Sequence, residues 1–193
     1  MKRMSGLKRQ INRSSAAAGR TSIDGMTPVE EFQACRKELL EQVARTDSLL
    51  AGQLRPALEA FGMPILDYDT LERGQKSALR DYFAESVAPI LTPLAVDAEH
   101  PFPFISNLGL NLAILFTDDE DGSERFIRIK VPNNRPRWVP LPGGAGFVPI
   151  EQVTTANLDV LYPDNPPVQV HYFRVTRGDR KSTRLNSSHL FIS

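Results

Sequence analysis

A run of alternating prolines and phenylalanines, His100-Pro101-Phe102-Pro103-Phe104, constrains this chain more than any other stretch. Each proline fixes φ and pushes the residue before it towards an extended conformation, so the run cannot be helical. The residues that follow alternate like a mostly buried strand, with Leu110, Leu112, Ile114 and Phe116 on one side. We therefore predict that a helix ends near Pro89 and that a stiff connector leads from it into a sheet.

The segment before this connector is predicted to be helical. Thr27-Pro28-Val29-Glu30 combines an N-cap threonine, a proline at the first helical position and the glutamate of a capping box. We expect one long amphipathic helix that ends at Gly62, or two helices with a break near Ala51-Gly52 or Pro56. The apolar residues that recur on one helical face are Phe32, Cys35, Leu39, Val43, Leu50, Leu54, Leu58 and Phe61.

A second helix is predicted after a short extended link. Asp69-Thr70-Leu71-Glu72 has the composition of an N-terminal cap, and Pro89 and Pro93 end the helix. Its predicted buried residues are Ala78, Leu79, Tyr82, Phe83, Val87, Ile90 and Leu91. We place a domain boundary near Asp67, in the link between the two helices.

Several strands are predicted downstream. Residues 110–116 and 125–131 form a hairpin around an acidic loop, residues 118–122. In the second of these strands Ile127 and Ile129 face the core, whereas Arg128 and Lys130 share a partly solvated face with Phe126. Residues 138–141 and 168–176 are further strands, residues 143–146 a glycine-rich turn, and residues 149–161 a helix. The predicted fold class is α+β, with a helical N-terminal segment followed by a mixed, mostly antiparallel sheet with flanking helices.

Composition narrows the functional class. The 193 residues are 41% hydrophobic and 24% charged, which is typical of a globular protein, and the formal net charge is zero. No overall field recruits nucleic acid, so we expect no nucleic-acid partner. One cysteine, Cys35, is compatible with a reducing cytoplasm, and the apolar runs are too short to predict a membrane span. We therefore expect a cytoplasmic protein.

Four separate sequence motifs resemble one family. They are LTPLAVDAEHPFPFISNL, the pair of stretches Arg128–Pro132 and Pro136–Pro142, and Phe173–Arg177, and in this order they are similar to the middle, or head, region of bacterial polyphosphate kinase of the large, histidine-phosphorylated type. The resemblance spans about residues 4–179. It implies that residues 1–66 end a helical N-terminal domain and that residues 67–179 begin the head domain. Residues 180–193 show no periodicity and few apolar residues, and we interpret them as an extraneous, unstructured tail.

The resemblance also implies a function. The family transfers the terminal phosphate of ATP to polyphosphate, reversibly, with Mg²⁺ and through a phosphohistidine, and a head domain would make subunit contacts in a homo-oligomer. The phosphorylated histidine would lie beyond this fragment. We therefore expect no catalytic, cofactor-binding or metal-binding residue here, and no activity from the fragment alone. Gly178 stands where the family's motif has asparagine, so the resemblance fades before the tail.

The residues themselves offer little other phosphoryl-transfer chemistry. Gly143-Gly144-Ala145-Gly146 lacks a following lysine, so a turn is favoured over a phosphate-binding loop. His100 and His171 are interpreted as structural or surface histidines, and His189 lies in the tail. The acidic loop at residues 118–121 lacks the spacing of a calcium-binding loop, and we interpret it as solvated.

One cluster of basic residues is the exception. Arg128, Lys130, Arg135 and Arg137 lie close together, with Arg125 nearby and Arg174 and Arg177 on a later strand. Polyphosphate is a linear polyanion, so these four residues are candidate polyphosphate contacts whose binding would weaken with salt. The alternative is an ordinary charged face paired with neighbouring acids.

Two other functional classes stay open beside a kinase fragment. A non-catalytic interaction or dimerisation module would form a defined oligomer, whereas a severed fragment would aggregate or be sensitive to proteases. A polyanion-binding module would be retained on polyphosphate in a salt-sensitive way, and Arg128→Glu with Lys130→Glu would abolish that retention.

Overall fold

The structure is a computed structural model that describes residues 2–13, 25–96, 103–117, 122, 124–176 and 191–192. Residues 100–102 of the proline-rich connector, the acidic loop at 118–121, Arg177 and His189 lie outside these ranges. The chain forms two compact units, one of residues 1–56 with 176–185 and one of residues 57–175 with 186–193. The boundary near Asp67, which was placed in the link between the two predicted helices, stays a prediction.

The first unit is helical. Helix α1 spans Lys2–Arg13 and helix α2 spans Pro28–Leu49. The predicted capping box of α2 is confirmed, because Glu30 N donates to Thr27 Oγ1 at 3.3 Å and Thr27 N donates to Glu30 Oε2 at 2.8 Å. The hydrogen bond from the Thr27 backbone lowers the pKa of the Glu30 carboxyl. An ion pair between Arg3 and Glu31 joins the two helices.

The predicted break in the long helix is a change of helical geometry. Residues Leu50–Leu54 form a π-helical segment, and helix α3 follows over Arg55–Ala60. The chain then leaves the helix at Gly62, whose φ of 73° belongs to the left-handed region that glycine tolerates. Helix α2 has no buried residue. Leu40 and Val43 of α2, and Leu54 of the π-helical segment, are exposed apolar side chains.

The second unit contains a helix whose cap differs from the prediction. Tyr68–Thr70 form a 3₁₀ turn, in which Thr70 Oγ1 donates to Asp67 O at 2.7 Å. Helix α4 (Arg73–Tyr82) is therefore capped by Glu72, whose backbone N donates to Gln75 Oε1 at 3.0 Å. The predicted cap at Asp69-Thr70 was wrong because those residues close the preceding turn.

Helix α4 continues with two non-α segments that carry most of its buried side chains. Residues Phe83–Val87 are π-helical and Ala88–Ile90 form a 3₁₀ turn, which ends where Pro89 was predicted to end the helix. Leu79, Phe83 and Val87 are fully buried, as predicted. Ile90 is partly exposed, because it lies past the point where the helix leaves the core.

The main sheet has five strands in the order β1-β3-β2-β6-β7. Their bounds are Leu94–Val96 (β1), Leu110–Thr117 (β2), Glu124–Lys130 (β3), Gln169–Arg174 (β6) and Phe191–Ile192 (β7). All four neighbouring pairs are antiparallel, and the predicted hairpin is confirmed with Leu112 opposite Ile129. Strand β7 lies in the segment expected to be an unstructured tail, so for these two residues the structure differs from the expectation.

The second unit also contains a smaller, two-stranded sheet. Strands β4 (Trp138–Pro140) and β5 (Phe147–Pro149) are antiparallel, and helix α5 (Ile150–Ala156) follows directly. The predicted helix over 149–161 is shorter than expected, since Asn157 leaves helical geometry at φ −122° and a 3₁₀ turn, Leu158–Val160, comes next. Arg80 donates hydrogen bonds from its two terminal nitrogens to the two carboxylate oxygens of Asp159, at 2.9 and 2.7 Å. These hydrogen bonds lower the pKa of the Asp159 carboxyl.

The five-stranded sheet contributes buried side chains on both of its faces. Its inner face packs on the helices and contributes Leu112, Ile114 and Ile129 to the main core, which also contains Phe83 and Val153. Its outer face carries a second cluster of buried residues, Ile105, Ala113, Phe173 and Val175, with Phe126 packed against them. The α+β fold class is confirmed. Among the described residues, no helix is long and apolar enough to cross a membrane.

Candidate anion-binding site

The structure places two of the four basic candidates in contacts that stabilise the fold. Arg137 forms an ion pair with Glu151, whose side chain is only 12% exposed, and its guanidinium carbon lies 6.0 Å from the centre of the Trp138 ring. Arg135 Nε donates to the backbone oxygen of Ser86 at 3.1 Å. Both side chains therefore hold the segment before β4 against the helices. Their role as polyphosphate contacts stays a prediction.

Arg128 and Lys130 occupy the outer face of β3. Residues two apart on a strand project to the same side and are separated by about 7 Å along it. Arg128 lies opposite Leu94 of β1 and Ala113 of β2, and Lys130 lies opposite Asn111 of β2. The structure thus brings these two cations together on one face of the sheet.

Arg128 is more buried than the sequence predicted. Its exposed fraction is 6%, because the outer face that was expected to be partly solvated carries apolar groups such as Ile105 and Phe126. This burial lowers the pKa of the Arg128 guanidinium. The expectation of a wet face is therefore wrong at Arg128, although Lys130 beside it is only half-buried.

Among the described residues, the hydrogen-bond partner of Arg128 is an uncharged side chain. Arg128 Nε donates to Asn111 Oδ1 at 2.8 Å, and Asn111 Nδ2 donates to the backbone oxygen of Gly109 at 2.7 Å. Asn111 is fully buried. The amide therefore fixes the guanidinium on one side and the turn before β2 on the other.

That turn has an unusual backbone. Leu108 has a φ of 61°, which a leucine rarely adopts, and its backbone N donates to Val175 O at 2.8 Å. Gly109 N donates to Ser106 O at 3.3 Å, and a Cβ at Gly109 would lie 3.9 Å from Lys130 Cε. The turn therefore lies beside the lysine stem. Strain of this kind persists only where surrounding contacts hold it, and it is concentrated at functional sites.

The charge on this face is not balanced within the described part of the chain. There, Arg128 and Lys130 have no carboxylate partner, and the acidic residue on the same face of β3 is Glu124, about 13 Å along the strand from Arg128. A buried cation is costly unless an anion or several acceptors compensate it. The pair is therefore suited to receive an oxyanion, which guanidinium and ammonium groups bind through charge-assisted hydrogen bonds.

The remaining candidates that the structure describes give no second site. His171 lies on the outer face opposite Ala113, and its Nε2 is 3.2 Å from Gln169 Oε1. In the ranges that the structure describes, no group of three histidine, cysteine or acidic side chains is placed to hold a metal ion. Sequence reasoning missed Asn111 and the Ser106–Gly109 turn. The available signal was the amide of Asn111, at a predicted strand position two residues after Gly109.

Comparison with known proteins gives the family. Residues 74–182, more than half of the chain, match the family model described as the polyphosphate kinase middle domain. The chain belongs to the polyphosphate kinase family. The resemblance noted in the sequence is thereby confirmed.

Curated polyphosphate kinases align with most of this chain. The polyphosphate kinase of Mycolicibacterium gilvum (strain PYR-GCK) is 40% identical over 184 residues, which are 92% of this chain and 25% of the relative. That of Parasynechococcus marenigrum (strain WH8102) is 42% identical over 205 residues, which cover 100% of this chain and 28% of the relative. The chain thus spans about a quarter of the length of these polyphosphate kinases.

A solved structure supports the same fold. The crystal structure of polyphosphate kinase from Porphyromonas gingivalis matches with a TM-score of 0.66 and 24% identity, over 75% of this chain and 25% of that one. At this identity the match concerns the fold alone. It agrees with the α+β arrangement described above.

Proposed function

We propose that these residues are part of a polyphosphate kinase that transfers the terminal phosphate of ATP to polyphosphate, and back, with Mg²⁺ and through a phosphohistidine. The observation that carries the proposal is the match of residues 74–182 to the family's middle domain. The names of the curated relatives support it. In this proposal residues 1–66 end the helical N-terminal domain, residues 67–179 begin the head domain, and residues 180–193 are extraneous.

We further propose that this chain contributes binding and support, with the chemistry supplied elsewhere in the protein. A histidine that takes and hands on a phosphoryl group needs positioned cations around the transferred phosphate and an in-line path. The described residues contain no cluster of ligands for Mg²⁺. No catalytic step is therefore assigned to them, and ATP, polyphosphate, a homo-oligomer and a cytoplasmic location belong to the proposal for the whole protein.

Purified on its own, the 193-residue chain is expected to make no polyphosphate from ATP and Mg²⁺. The reason is that the proposed phosphohistidine is not among its residues. The measurement is incorporation of labelled terminal phosphate into polymer, with the whole Mycolicibacterium gilvum enzyme as the positive control. ATP-dependent polymer made by this chain alone would show that the assignment of the chemistry to another part of the protein is wrong.

A non-catalytic interaction module is the second candidate function. It is favoured by helix α2, which has no buried residue and exposes apolar side chains such as Leu40 and Val43. Light scattering together with limited proteolysis separates the two candidates. A defined oligomer formed by this chain alone would favour the module, whereas aggregation or rapid proteolysis would favour a piece of a larger enzyme.

A further inference from the structure

We propose that Arg128 and Lys130, positioned by Asn111, form a binding site for a phosphate group on the outer face of the five-stranded sheet. The identity of the natural ligand, a polyphosphate chain, rests on the proposed function. The existence of an oxyanion site rests on the geometry of β2, β3 and the turn before β2. The site is narrower than the four-residue cluster predicted from the sequence, since Arg135 and Arg137 are engaged with Ser86 and Glu151.

The guanidinium of Arg128 is held ready for a ligand. Its Nε is fixed by Asn111 at 2.8 Å, and Asn111 is in turn fixed by Gly109 at 2.7 Å. Within the described part of the chain, the two terminal nitrogens of Arg128 have no hydrogen-bond partner. A planar guanidinium with one edge anchored can offer its remaining N–H groups to two oxygens of the same phosphate.

Lys130 supplies the second charge. It lies opposite Asn111 on the neighbouring strand, and its stem passes close to Gly109. Lys130 also lacks an acidic partner among the described residues, and it is more exposed than Arg128. One cation is thus buried and fixed while the other is only half-buried. This combination suits a linear polyanion, which can place one phosphate on the arginine while the lysine attracts the neighbouring charge.

The main competitor for the site is a carboxylate from the chain itself. Asp97 and Glu99 follow strand β1, which pairs with β3, and they lie outside the described residues. Either carboxylate alone would neutralise only one of the two cations, so both would have to reach the pair to replace a phosphate. Because two adjacent cations favour a ligand with more than one negative charge, a phosphate fits the pair better.

The decisive variant is Arg128→Gln in the 193-residue chain. Glutamine places an amide nitrogen where arginine has Nε, so it can keep the hydrogen bond to Asn111 Oδ1 while it removes the charge and the terminal N–H groups. Arg174→Gln is the matched control, since Arg174 lies opposite Leu110 on the inner face of the same sheet and is exposed. Circular dichroism and thermal unfolding should show that both variants fold like the parent chain.

The measurement is the affinity for tripolyphosphate by calorimetry, repeated at increasing salt concentration. We expect Arg128→Gln to weaken binding about tenfold or more, the factor that a charge-assisted hydrogen bond supplies. Lys130→Gln should lower the affinity less and should flatten its salt dependence, whereas Arg174→Gln should leave the affinity unchanged.

Two results would overturn the site. One is equal affinity in Arg128→Gln and Arg174→Gln. The other is a parent chain that binds no tripolyphosphate until Asp97→Asn and Glu99→Gln are introduced, which would assign the arginine to an internal ion pair. Either result would leave the proposed kinase function standing, because that function is tested by polymer synthesis in the whole enzyme. Conversely, tripolyphosphate binding that depends on Arg128 would survive a failure of the kinase assignment.

Discussion

Replacing Phe83 by alanine is expected to lower the free energy of unfolding of the second unit by about 3–5 kcal/mol. Phe83 has no exposed surface and lies in the main core, where helix α4 passes into π-helical geometry. Removing its ring loses apolar burial and leaves a cavity between the helix and the sheet, which packed neighbours refill only in part. The measurement is urea unfolding followed by circular dichroism.

Phe61→Ala is the matched control for this substitution. Phe61 belongs to the same unit, but its side chain is 80% exposed. The same chemical change is therefore expected to alter the free energy of unfolding by less than about 0.5 kcal/mol. Equal losses in the two variants would contradict the placement of Phe83 in the core.

Gly146→Ala is expected to cost about 3 kcal/mol, through backbone strain and overpacking together. Gly146 has a φ of 128°, and an added Cβ would lie 2.5 Å from the backbone oxygen of Pro64. That oxygen cannot move away freely, because it accepts the hydrogen bond from Phe147 N at 2.8 Å. The clash would therefore separate the segment at Pro64 from strand β5.

Gly74→Ala is expected to change the free energy of unfolding in the opposite direction. Gly74 lies in the first turn of α4, has no positive φ, and has open space where a Cβ would be. Alanine there should raise the free energy of unfolding by about 0.5 kcal/mol, since it restricts the unfolded chain. Thermal unfolding of the two alanine variants beside the parent chain checks both signs. A Gly146→Ala protein as stable as the parent would refute the close approach of Pro64.

The elements that were predicted well are those whose signals are local. The cap at Thr27 and Glu30 needs only neighbouring residues, and the hairpin of β2 and β3 follows from alternation on either side of an acidic loop. The cap at Glu72 was missed because the predicted pattern at Asp69–Glu72 overlaps the capping box formed by Glu72 and Gln75. Local sequence does not decide between them, since the choice depends on the 3₁₀ turn that Thr70 closes.

The burial of Arg128 could not be predicted from the sequence for a different reason. Alternation assigns a residue to a face of a strand, but it does not show what covers that face. Here Ile105, Phe173 and Val175 come from segments up to about fifty residues away in the chain and bury part of the outer face. Asn111, on the same face, is fully buried and accepts a hydrogen bond from Arg128, which alternation along the strand does not predict either.

The basic cluster shows how proximity in sequence and in space can diverge. Arg137 and Lys130 are close in the chain, yet Arg137 pairs with Glu151 beside the small sheet while Lys130 lies on the outer face of the large one. A turn at residues 132–137 separates them. Charge density along the chain was therefore a sound reason to search here, but the fold selected which cations share a surface.

The proposed function requires that these residues belong to a reading frame that encodes a whole polyphosphate kinase. The most direct measurement is the sequence of the source DNA beyond the codon for Asp179. We predict that the frame continues with the remainder of the head domain and then a histidine-bearing half, so that it reaches about four times the present length, as in the curated relatives. A frame that continues into an unrelated protein would contradict the proposed function.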